Sequence, residues 1–161
     1  MAGLPITQID HVSVLITDLE RSRRFYRDVL GLKEIAKPRT FDFSVLWFDL
    51  GNQQLHLLLK GRPDGLSPRH FALRVTDARQ ARAYLHRHVA LQETTPIPGA
   101  DRFFVADPDG NRIEVIQWLE PYDPLASGAA QLDGMAEATG TPRQPRPSGL
   151  NRGNDTAPGR P

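Results

Sequence analysis

The sequence predicts an α+β fold built from two similar modules, each with the element order β-α-β-β-β. The first observation behind this prediction is an internal repeat, in which residues 11–34 align without a gap on residues 70–93 at an offset of 59. The second is the strand-then-helix pattern within each copy, and the third is the pair of apolar, turn-linked segments that follows each copy. Two copies are too few for a solenoid, so we expect the modules to pack around a pseudo-two-fold axis.

Each repeat begins with a strand and continues into a helix. Residues 9–16 and 70–75 are short, apolar or β-branched segments, and each leads to a Thr-Asp pair. Asp18 and Asp77 follow the strands directly and are good N-cap residues, because a short carboxylate accepts hydrogen bonds from the free N–H groups of a first helical turn. Gly31 fits the left-handed position that ends the first helix.

The remaining strands follow the helices in both modules. We expect them at 33–36, 41–50, 53–59, 92–95, 102–106 and 112–117. Gly51-Asn52 is typical of a hairpin turn, and Asp-Pro-Asp-Gly-Asn at 107–111 is a second turn by composition. The predicted domain is therefore 4–120, with modules at about 6–62 and 66–120.

Residues 121–161 differ in composition from the predicted domain. This stretch contains seven of the 14 prolines and six of the 13 glycines, and its apolar residues follow no period. Such a segment buries too little apolar surface to offset the entropy of ordering its backbone. We predict that it is a flexible tail.

Composition and charge exclude several classes of protein. The 20 Lys and Arg residues nearly balance the 19 Asp and Glu residues, which disfavours a nucleic-acid partner. No apolar run approaches the roughly 18 residues that cross a bilayer, and the N-terminus lacks the pattern of a secretory signal. The absence of cysteine excludes disulfides, thiolate zinc sites and cysteine nucleophiles. The expectation is a cytoplasmic protein with a small-molecule partner.

Four strands place one metal-capable residue each on the face opposite their apolar residues. These residues are His11, His56, His70 and Glu114. The repeat relates them, because His11 aligns with His70 at 59 residues and His56 aligns with Glu114 at 58. Three imidazoles and one carboxylate suit a divalent Zn, Ni, Co, Mn or Fe ion without selecting among them.

A single histidine in a strand is more often an ordinary half-buried side chain than a ligand, and only the symmetric set favours a metal site. His86 and His88 lie on the second helix and do not belong to this set. The first helix alternates acidic residues with Arg21, Arg23, Arg24 and Arg27, a pattern typical of a solvated face.

The chain resembles the vicinal oxygen chelate superfamily, which includes glyoxalase I, bleomycin-resistance, fosfomycin-resistance and extradiol dioxygenase proteins. The matching stretches are IDHVSVLITDLERSRRFYRDVLGLKE, LHLLLKG, RHFALRVTD and FVADPDGNRIEVIQ, and the resemblance covers about residues 6–119. It implies paired βαβββ modules whose sheets curl around a cavity. It also implies a divalent metal held at His11, His56, His70 and Glu114, and a homodimer in which the first two ligands often face the last two of the partner.

The resemblance leaves the reaction open. Glyoxalase I-like enzymes usually carry a carboxylate at the position of His56, so Glu114 remains as the candidate base. Leu15 stands where the bacterial enzymes tend to have arginine, which argues against recognition of a glutathione thioester. Dioxygenase and thiol-transferase members bind metal through a triad matching His11, His70 and Glu114, whereas bleomycin-binding members lack the metal set.

We therefore predict a divalent-metal-dependent enzyme with lyase or isomerase chemistry of the glyoxalase I type, in which Glu114 and His56 are catalytic. One alternative is an Fe(II)-dependent ring-cleaving dioxygenase. Another is an antibiotic-modifying thiol transferase or a drug-binding resistance protein. Candidate substrate contacts are Arg74 and Arg102 for an anionic group and Trp47, Phe41, Phe103 and Phe104 for an apolar group, with core packing as the alternative role of the aromatic residues.

Overall fold

The strands and helices follow the predicted order in both modules. The structure, a computed structural model, describes residues 3–122. Module 1 contains β1 (His11–Ile16), α1 (Leu19–Arg23) continuing as a π-helix (Arg24–Val29), β2 (Lys33–Ile35), β3 (Val45–Asp49) and β4 (Gln54–Leu59). Module 2 contains β5 (His70–Arg74), α2 (Ala78–Leu85), β6 (Gln92–Glu93), β7 (Ala100–Ala106) and β8 (Arg112–Trp118). Residues 123–161 of the predicted tail lie outside the described residues.

Each module forms one four-stranded mixed sheet with the same topology. The strand orders are β1-β4-β3-β2 and β5-β8-β7-β6. The first strand of each module pairs in parallel with the last one, and the other pairings are antiparallel. The α+β fold of two βαβββ modules is confirmed. No helix among the described residues is long and apolar enough to cross a membrane.

The predicted helix caps are present. The side chain of Asp18 accepts a hydrogen bond from the backbone N–H of Arg21 at 2.9 Å, and that of Asp77 accepts one from Gln80 at 2.8 Å. Gly31 has a φ of 72°, which confirms the left-handed position at the end of the first helix. Local sequence thus decides where both helices begin.

The second half of the first helix differs from the prediction. The 3.6-residue spacing predicts a regular helix, but Arg24–Val29 is a π-helix. The N–H of Leu30 donates to the carbonyl of Phe25, five residues earlier, at 2.9 Å. The corresponding helix of module 2 is regular, and it ends at Leu85 rather than continuing to Val89 as its apolar spacing suggests.

The core lies between each sheet and its helix. Its largest members are fully or nearly fully buried, and they come from the predicted apolar faces of the strands and helices: Ile16, Phe25, Tyr26, Phe48, Leu55, Leu57, Leu85, Phe103, Ile113 and Val115. We call the opposite side of each sheet its inner face. On β1 and β5 the inner-face residues His11, Ser13, His70 and Ala72 are exposed.

An arginine–glutamate pair repeats in the two modules. Arg23 Nε lies 2.9 Å from a carboxylate oxygen of Glu34, and Arg82 Nε lies 2.9 Å from one of Glu93. These are the residues that the repeat aligns, so the pairs have equivalent positions. The arginine-rich first helix is therefore not simply a solvated face, since Arg23 links the helix to β2.

The turn at 107–111 connects module 2 to module 1. Asp109 accepts hydrogen bonds from the backbone N–H of Thr17 at 3.1 Å, from its hydroxyl at 2.6 Å and from Arg21 Nη2 at 2.6 Å. The Asp109 side chain is only 2% exposed. Such a buried carboxylate with charged and neutral donors is a strong contact between the modules.

Two further hydrogen bonds support the same contact. The hydroxyl of Tyr26, in the π-helix, donates to Asp107 Oδ2 at 2.8 Å. Asn111 Nδ2 donates to the backbone carbonyl of Leu15 at 2.7 Å. The sequence predicts only a turn here, whereas the structure shows that the turn fixes the arrangement of the two modules.

Candidate metal and substrate site

The structure brings the four candidate metal ligands together in two pairs. In module 1 the rings of His11 and His56 stack with their centroids 4.3 Å apart. In module 2, Nε2 of His70 lies 3.2 Å from Oε2 of Glu114. Within residues 3–122, no three His, Asp or Glu side chains are close enough to hold one ion. Each module therefore presents half of the predicted ligand set.

The module 2 pair has the chemistry of two ligands that face one cation. His70 Nδ1 lies 2.8 Å from the carbonyl oxygen of Pro68, so Nδ1 carries a hydrogen and donates it. In the neutral ring the remaining nitrogen, Nε2, has a lone pair, and it faces a carboxylate oxygen. Two acceptors at this distance need a cation between them, either a proton or a metal ion.

The distance and the neighbours of this pair fit a divalent ion. Two ligands of a tetrahedral ion with bonds of about 2.0 Å lie about 3.3 Å apart, close to the observed 3.2 Å. Arg102 Nη1 donates to the other oxygen of Glu114, Oε1, at 2.9 Å. The carboxylate is thereby oriented with Oε2 toward His70, as hydrogen-bonded supports orient metal ligands elsewhere.

The histidines of module 1 are also held by polar neighbours. His11 Nδ1 donates to the Asp10 carboxylate at 2.8 Å, which leaves Nε2 as the lone-pair atom, a pattern typical of metal-binding histidines. His56 Nε2 donates to Gln54 Oε1 at 2.9 Å, which leaves Nδ1. Burial, and then the nearby charge of His11, lower the pKa of His56 despite the opposing effect of Asp10. A neutral imidazole is the form that binds a metal.

Aromatic residues surround the module 1 pair. The ring of Trp47 stacks on His56, with centroids 3.9 Å apart and planes 12° from parallel. Phe41 contacts Trp47 edge-on at 5.8 Å. These residues and Phe43, which the sequence reasoning did not select, line a cavity of about 480 Å³ that also contains His11 and His56. Trp47 and Phe41 therefore lie beside the His11–His56 pair, and their role as substrate contacts stays a prediction.

The neighbouring phenylalanines of β7 have different places. Phe104 lies on the inner face, where His70 contacts its ring edge-on at 5.0 Å. Phe103 is fully buried in the core on the helix side, with the Arg82 guanidinium 4.6 Å above its ring. Strand alternation allows only one of two neighbours to face the site, so Phe103 is a core residue instead of a substrate contact.

The two predicted arginines are not equivalent either. Arg102 lies at the site but is paired with Glu114 and with the carbonyl oxygen of Thr95. Arg74 lies at the far end of β5 and lines surface grooves beside α2 and residues 118–122. It does not line the cavity that contains His70.

Sequence reasoning missed three polar residues beside the ligands. Asp10 and Gln54 hold the module 1 histidines, and Arg112 lies on the inner face of β8 beside His70. A signal for two of them was available, because Gln54 and Arg112 each stand two residues before a candidate ligand and therefore share its face.

Comparisons with known proteins identify the family. Residues 8–115 match the family model of the Glyoxalase/Bleomycin resistance protein/Dioxygenase superfamily. Glyoxylase I 4 of Arabidopsis thaliana is 30% identical over 130 residues, which cover 71% of this chain and 74% of the relative. The chain belongs to this superfamily.

Two further matches agree with this assignment. The mitochondrial methylmalonyl-CoA epimerase of Mus musculus is 40% identical over 53 residues, covering 32% of this chain and 30% of the epimerase. A solved structure from Bacillus anthracis, described as a glyoxalase family protein, has a TM-score of 0.67 at 30% identity and covers 73% of this chain and 98% of its own. The predicted fold and family are thus confirmed.

Proposed function

We propose that this protein is a divalent-metal-dependent enzyme with lyase or isomerase chemistry on a small substrate that chelates the metal through neighbouring oxygens. The observation that carries the proposal is the contact between His70 Nε2 and Glu114 Oε2, 3.2 Å apart, on a ring whose other nitrogen is already bonded to the Pro68 carbonyl. His11 and His56 supply the other half of the ligand set. A metal bound there would act as a Lewis acid on a substrate oxygen.

The complete ligand set would form in a homodimer, with module 1 of one protomer facing module 2 of its partner. Two observations support this arrangement. Within the described chain the ligands occur as two separate pairs. Most inner-face residues of β1 and β5, including both His11 and His70, are exposed in the single chain. A second copy would cover these faces and exclude water from the site.

Glu114 is the residue we assign to proton transfer. Arg102 fixes Oε1, so the carboxylate presents Oε2 as its accepting atom beside His70. Glu114 is buried, with a side chain 9% exposed, which limits competition from bulk water. A carboxylate held at one oxygen by an arginine can remove a proton from a substrate carbon with the other oxygen and return it, provided that this oxygen leaves the metal first.

The names of the two curated relatives, a glyoxalase and an epimerase, favour lyase or isomerase chemistry. A specific observation favours the second candidate, a ring-cleaving dioxygenase that uses iron. The His56 ring lies between His11 and Trp47, with its Nε2 hydrogen-bonded to Gln54. If these contacts keep His56 off the metal, the remaining His11, His70 and Glu114 form the two-histidine, one-carboxylate triad of non-haem Fe(II) oxygenases.

Metal analysis of the full-length protein tests the proposal and separates the candidates. We expect one Zn, Ni, Co or Mn ion per chain after loading, and metal-dependent turnover of vicinal oxygen substrates without O₂ consumption. Stoichiometric iron with O₂ uptake on a catechol would favour the dioxygenase. No stoichiometric binding of any of these ions would contradict metal dependence, and tight drug binding by such a protein would favour a resistance role.

Mixing two variants tests the shared site. His11→Ala/His56→Ala removes the module 1 pair, and His70→Ala/Glu114→Gln removes the module 2 pair. Random reassociation would give roughly half heterodimers, each with one intact site, so the mixture should recover about a quarter of the wild-type metal content. Either variant alone should bind little metal. A mixture no better than its components would contradict a site shared between protomers.

A further inference from the structure

At three equivalent positions the inner face of module 1 is uncharged and that of module 2 carries arginine. The strand register defines these positions, because the first and third strands of each module pair with its fourth strand in the same residue register. Module 1 has uncharged residues at all three and module 2 has arginine at all three: Leu15 and Arg74, Val45 and Arg102, Gln54 and Arg112. The inner face of module 2 is therefore cationic where that of module 1 is neutral.

Arg112 differs from the other two arginines because it lacks an acidic partner and also lines the cavity that contains His70. Arg102 is neutralised by Glu114, and Arg74 lies outside the cavity that contains His70. The Nε atoms of Arg102 and Arg112 are both buried without a partner, but only Arg102 has its other nitrogens paired. The Arg112 guanidinium makes no hydrogen bond or ion pair to any side chain or carbonyl within residues 3–122. A buried donor on a charged group is costly unless a ligand or water satisfies it.

The Arg112 side chain is held in place despite this missing partner. Its guanidinium carbon lies 3.6 Å from the centroid of the Phe104 ring, a close cation–π contact. This contact holds the guanidinium at the ring, while its terminal nitrogens have no hydrogen-bond partner within the described residues. The planar fork of arginine matches the two oxygens of a carboxylate.

A cavity of about 360 Å³ adjoins Arg112, between β1, β5 and the segment that leads into β5. Its lining includes His70, Asn111, and the hydroxyl residues Ser13 and Ser67. Arg69 and Asp64 also line it, but they form a pair with each other at 3.3 Å. Arg112 is thus the cation of this cavity that has no acidic partner among the described residues.

We propose that Arg112 binds a carboxylate group of the substrate, so that the substrate of the His70–Glu114 centre is a small organic acid. The assignment rests on the proposed function, because the cavity is placed at the catalytic centre by His70. His70 and Arg112 are direct partners in the β5–β8 register. Their side chains therefore start from neighbouring strands about 5 Å apart, and both residues line the same cavity.

The test measures anion binding by the full-length protein without added metal. Benzoate is the probe, and benzamide, which has the same shape without the charge, is its control. Arginine Nε–H signals in an NMR titration report both binding and which arginine responds. We expect benzoate to shift the Arg112 signal, Arg112→Met to weaken benzoate binding at least about tenfold, and Arg112→Lys to weaken it less, because lysine keeps the charge but loses the fork.

Arg69→Met is the matched control, since Arg69 lines the same cavity but already has Asp64 as a partner. It should change benzoate affinity less than threefold. Three results would overturn the proposal: equal binding of benzoate and benzamide, equal effects of the Arg69 and Arg112 variants, or phosphate binding more tightly than benzoate. An unchanged unfolding midpoint in Arg112→Lys shows that its weaker binding does not come from misfolding.

Failure of this proposal and failure of the metal-dependent function have different signatures. Wild-type protein that binds zinc stoichiometrically but binds benzoate no better than Arg112→Met would overturn the anion site alone. Protein that binds no metal but shows Arg112-dependent benzoate binding would keep the anion site and contradict the metal enzyme.

Discussion

Modules 1 and 2 have the same strand order and register, but their inner faces carry different chemistry. In module 1 the ligand pair is two stacked imidazoles beside Trp47 and the Asp10 carboxylate, with no arginine among the described residues that line their cavity. In module 2 it is an imidazole and a carboxylate, with arginines at the equivalent surrounding positions. A duplicated backbone can keep its hydrogen-bonding pattern while its side chains diverge, because the hydrogen bonds between strands join backbone atoms only.

The same comparison holds for the contacts between the modules. The turn of module 2, 107–111, holds Thr17 and Arg21 of module 1 through Asp109. The corresponding turn of module 1, at Gly51-Asn52, has no equivalent aspartate. The helices show the same asymmetry. Tyr26 of the first helix donates a hydrogen bond to Asp107, whereas its repeat equivalent in the second helix, Leu85, is an apolar core residue.

The largest expected effect distinguishes the two ligand pairs. Glu114→Gln removes the proposed acidic ligand, and we expect zinc affinity to fall by more than the roughly 10–100-fold typical of a lost supporting residue. His56→Ala should lower the zinc affinity by an amount within that range if His56 only supports the site. The loss should be larger if His56 binds the metal. Glu120→Gln makes the same chemical change at an exposed position and is the control. Calorimetric titration with zinc measures all three, and wild-type affinity in Glu114→Gln would remove Glu114 from the metal site.

The second prediction concerns the charge that joins the modules. Burial alone would raise the pKa of Asp109, but hydrogen bonds from the Thr17 hydroxyl and N–H and from Arg21 outweigh it, and the pKa is lowered. Because the pKa of Asp109 is lower in the folded than in the unfolded state, its ionisation stabilises the fold. This stabilisation is complete above the unfolded-state pKa of about 4 and is lost as the pH falls through the folded-state pKa.

Asp109→Asn should therefore cost about 2–3 kcal/mol of unfolding free energy at pH 7, with the difference from wild type shrinking below about pH 4. Chemical denaturation at several pH values measures it. Asp64→Asn, which alters an exposed pair in the segment before β5, should show a much smaller difference at every pH. A constant difference between Asp109→Asn and wild type across the acid range would contradict the assignment.

The third prediction compares two tyrosines in neighbouring repeat positions. Tyr26→Phe removes the hydroxyl that donates to Asp107 and leaves a buried acceptor with one donor fewer, which should cost about 1–2 kcal/mol. Tyr84→Phe in module 2 is the matched control, because within the described residues the Tyr84 hydroxyl has no hydrogen bond. Equal midpoints of thermal unfolding for the two variants would show that the Tyr26 contact contributes nothing.

The smallest expected effect on stability concerns the ion pairs that repeat in the two modules. Arg82 contacts Glu93 and Asp101 and lies over Phe103, whereas Arg23 contacts Glu34 and Glu20 without a ring beneath it. Partly exposed ion pairs contribute about 0.2–1 kcal/mol, and a cation–π contact adds about 0.5–1 kcal/mol. Arg82→Ala should therefore destabilise more than Arg23→Ala in urea denaturation at low salt. The reverse order would mean that the ring contact does not matter.

Most of the fold was predictable because its signals are local or repeated. Alternation along β1, β4, β5 and β8 separates apolar from polar faces, and Asp18 and Asp77 cap the helices with their own side chains. The alignment of the repeat then relates the two modules without any structure. The candidate ligands follow from these same signals, since residues on one face of equivalent strands have equivalent positions.

Other features depend on how the modules meet, which no local pattern describes. Thr17 and Asp109 are 92 residues apart, and only the packing of the turn at 107–111 against β1 brings them together. The π-helix, the stacking of Arg112 on Phe104 and the separation of the ligands into two pairs have the same origin. The sequence by itself determined the two modules, their faces and the chemical types on them. Tertiary structure decided which of those residues meet, because contacts across distant segments depend on the relative position of whole sheets.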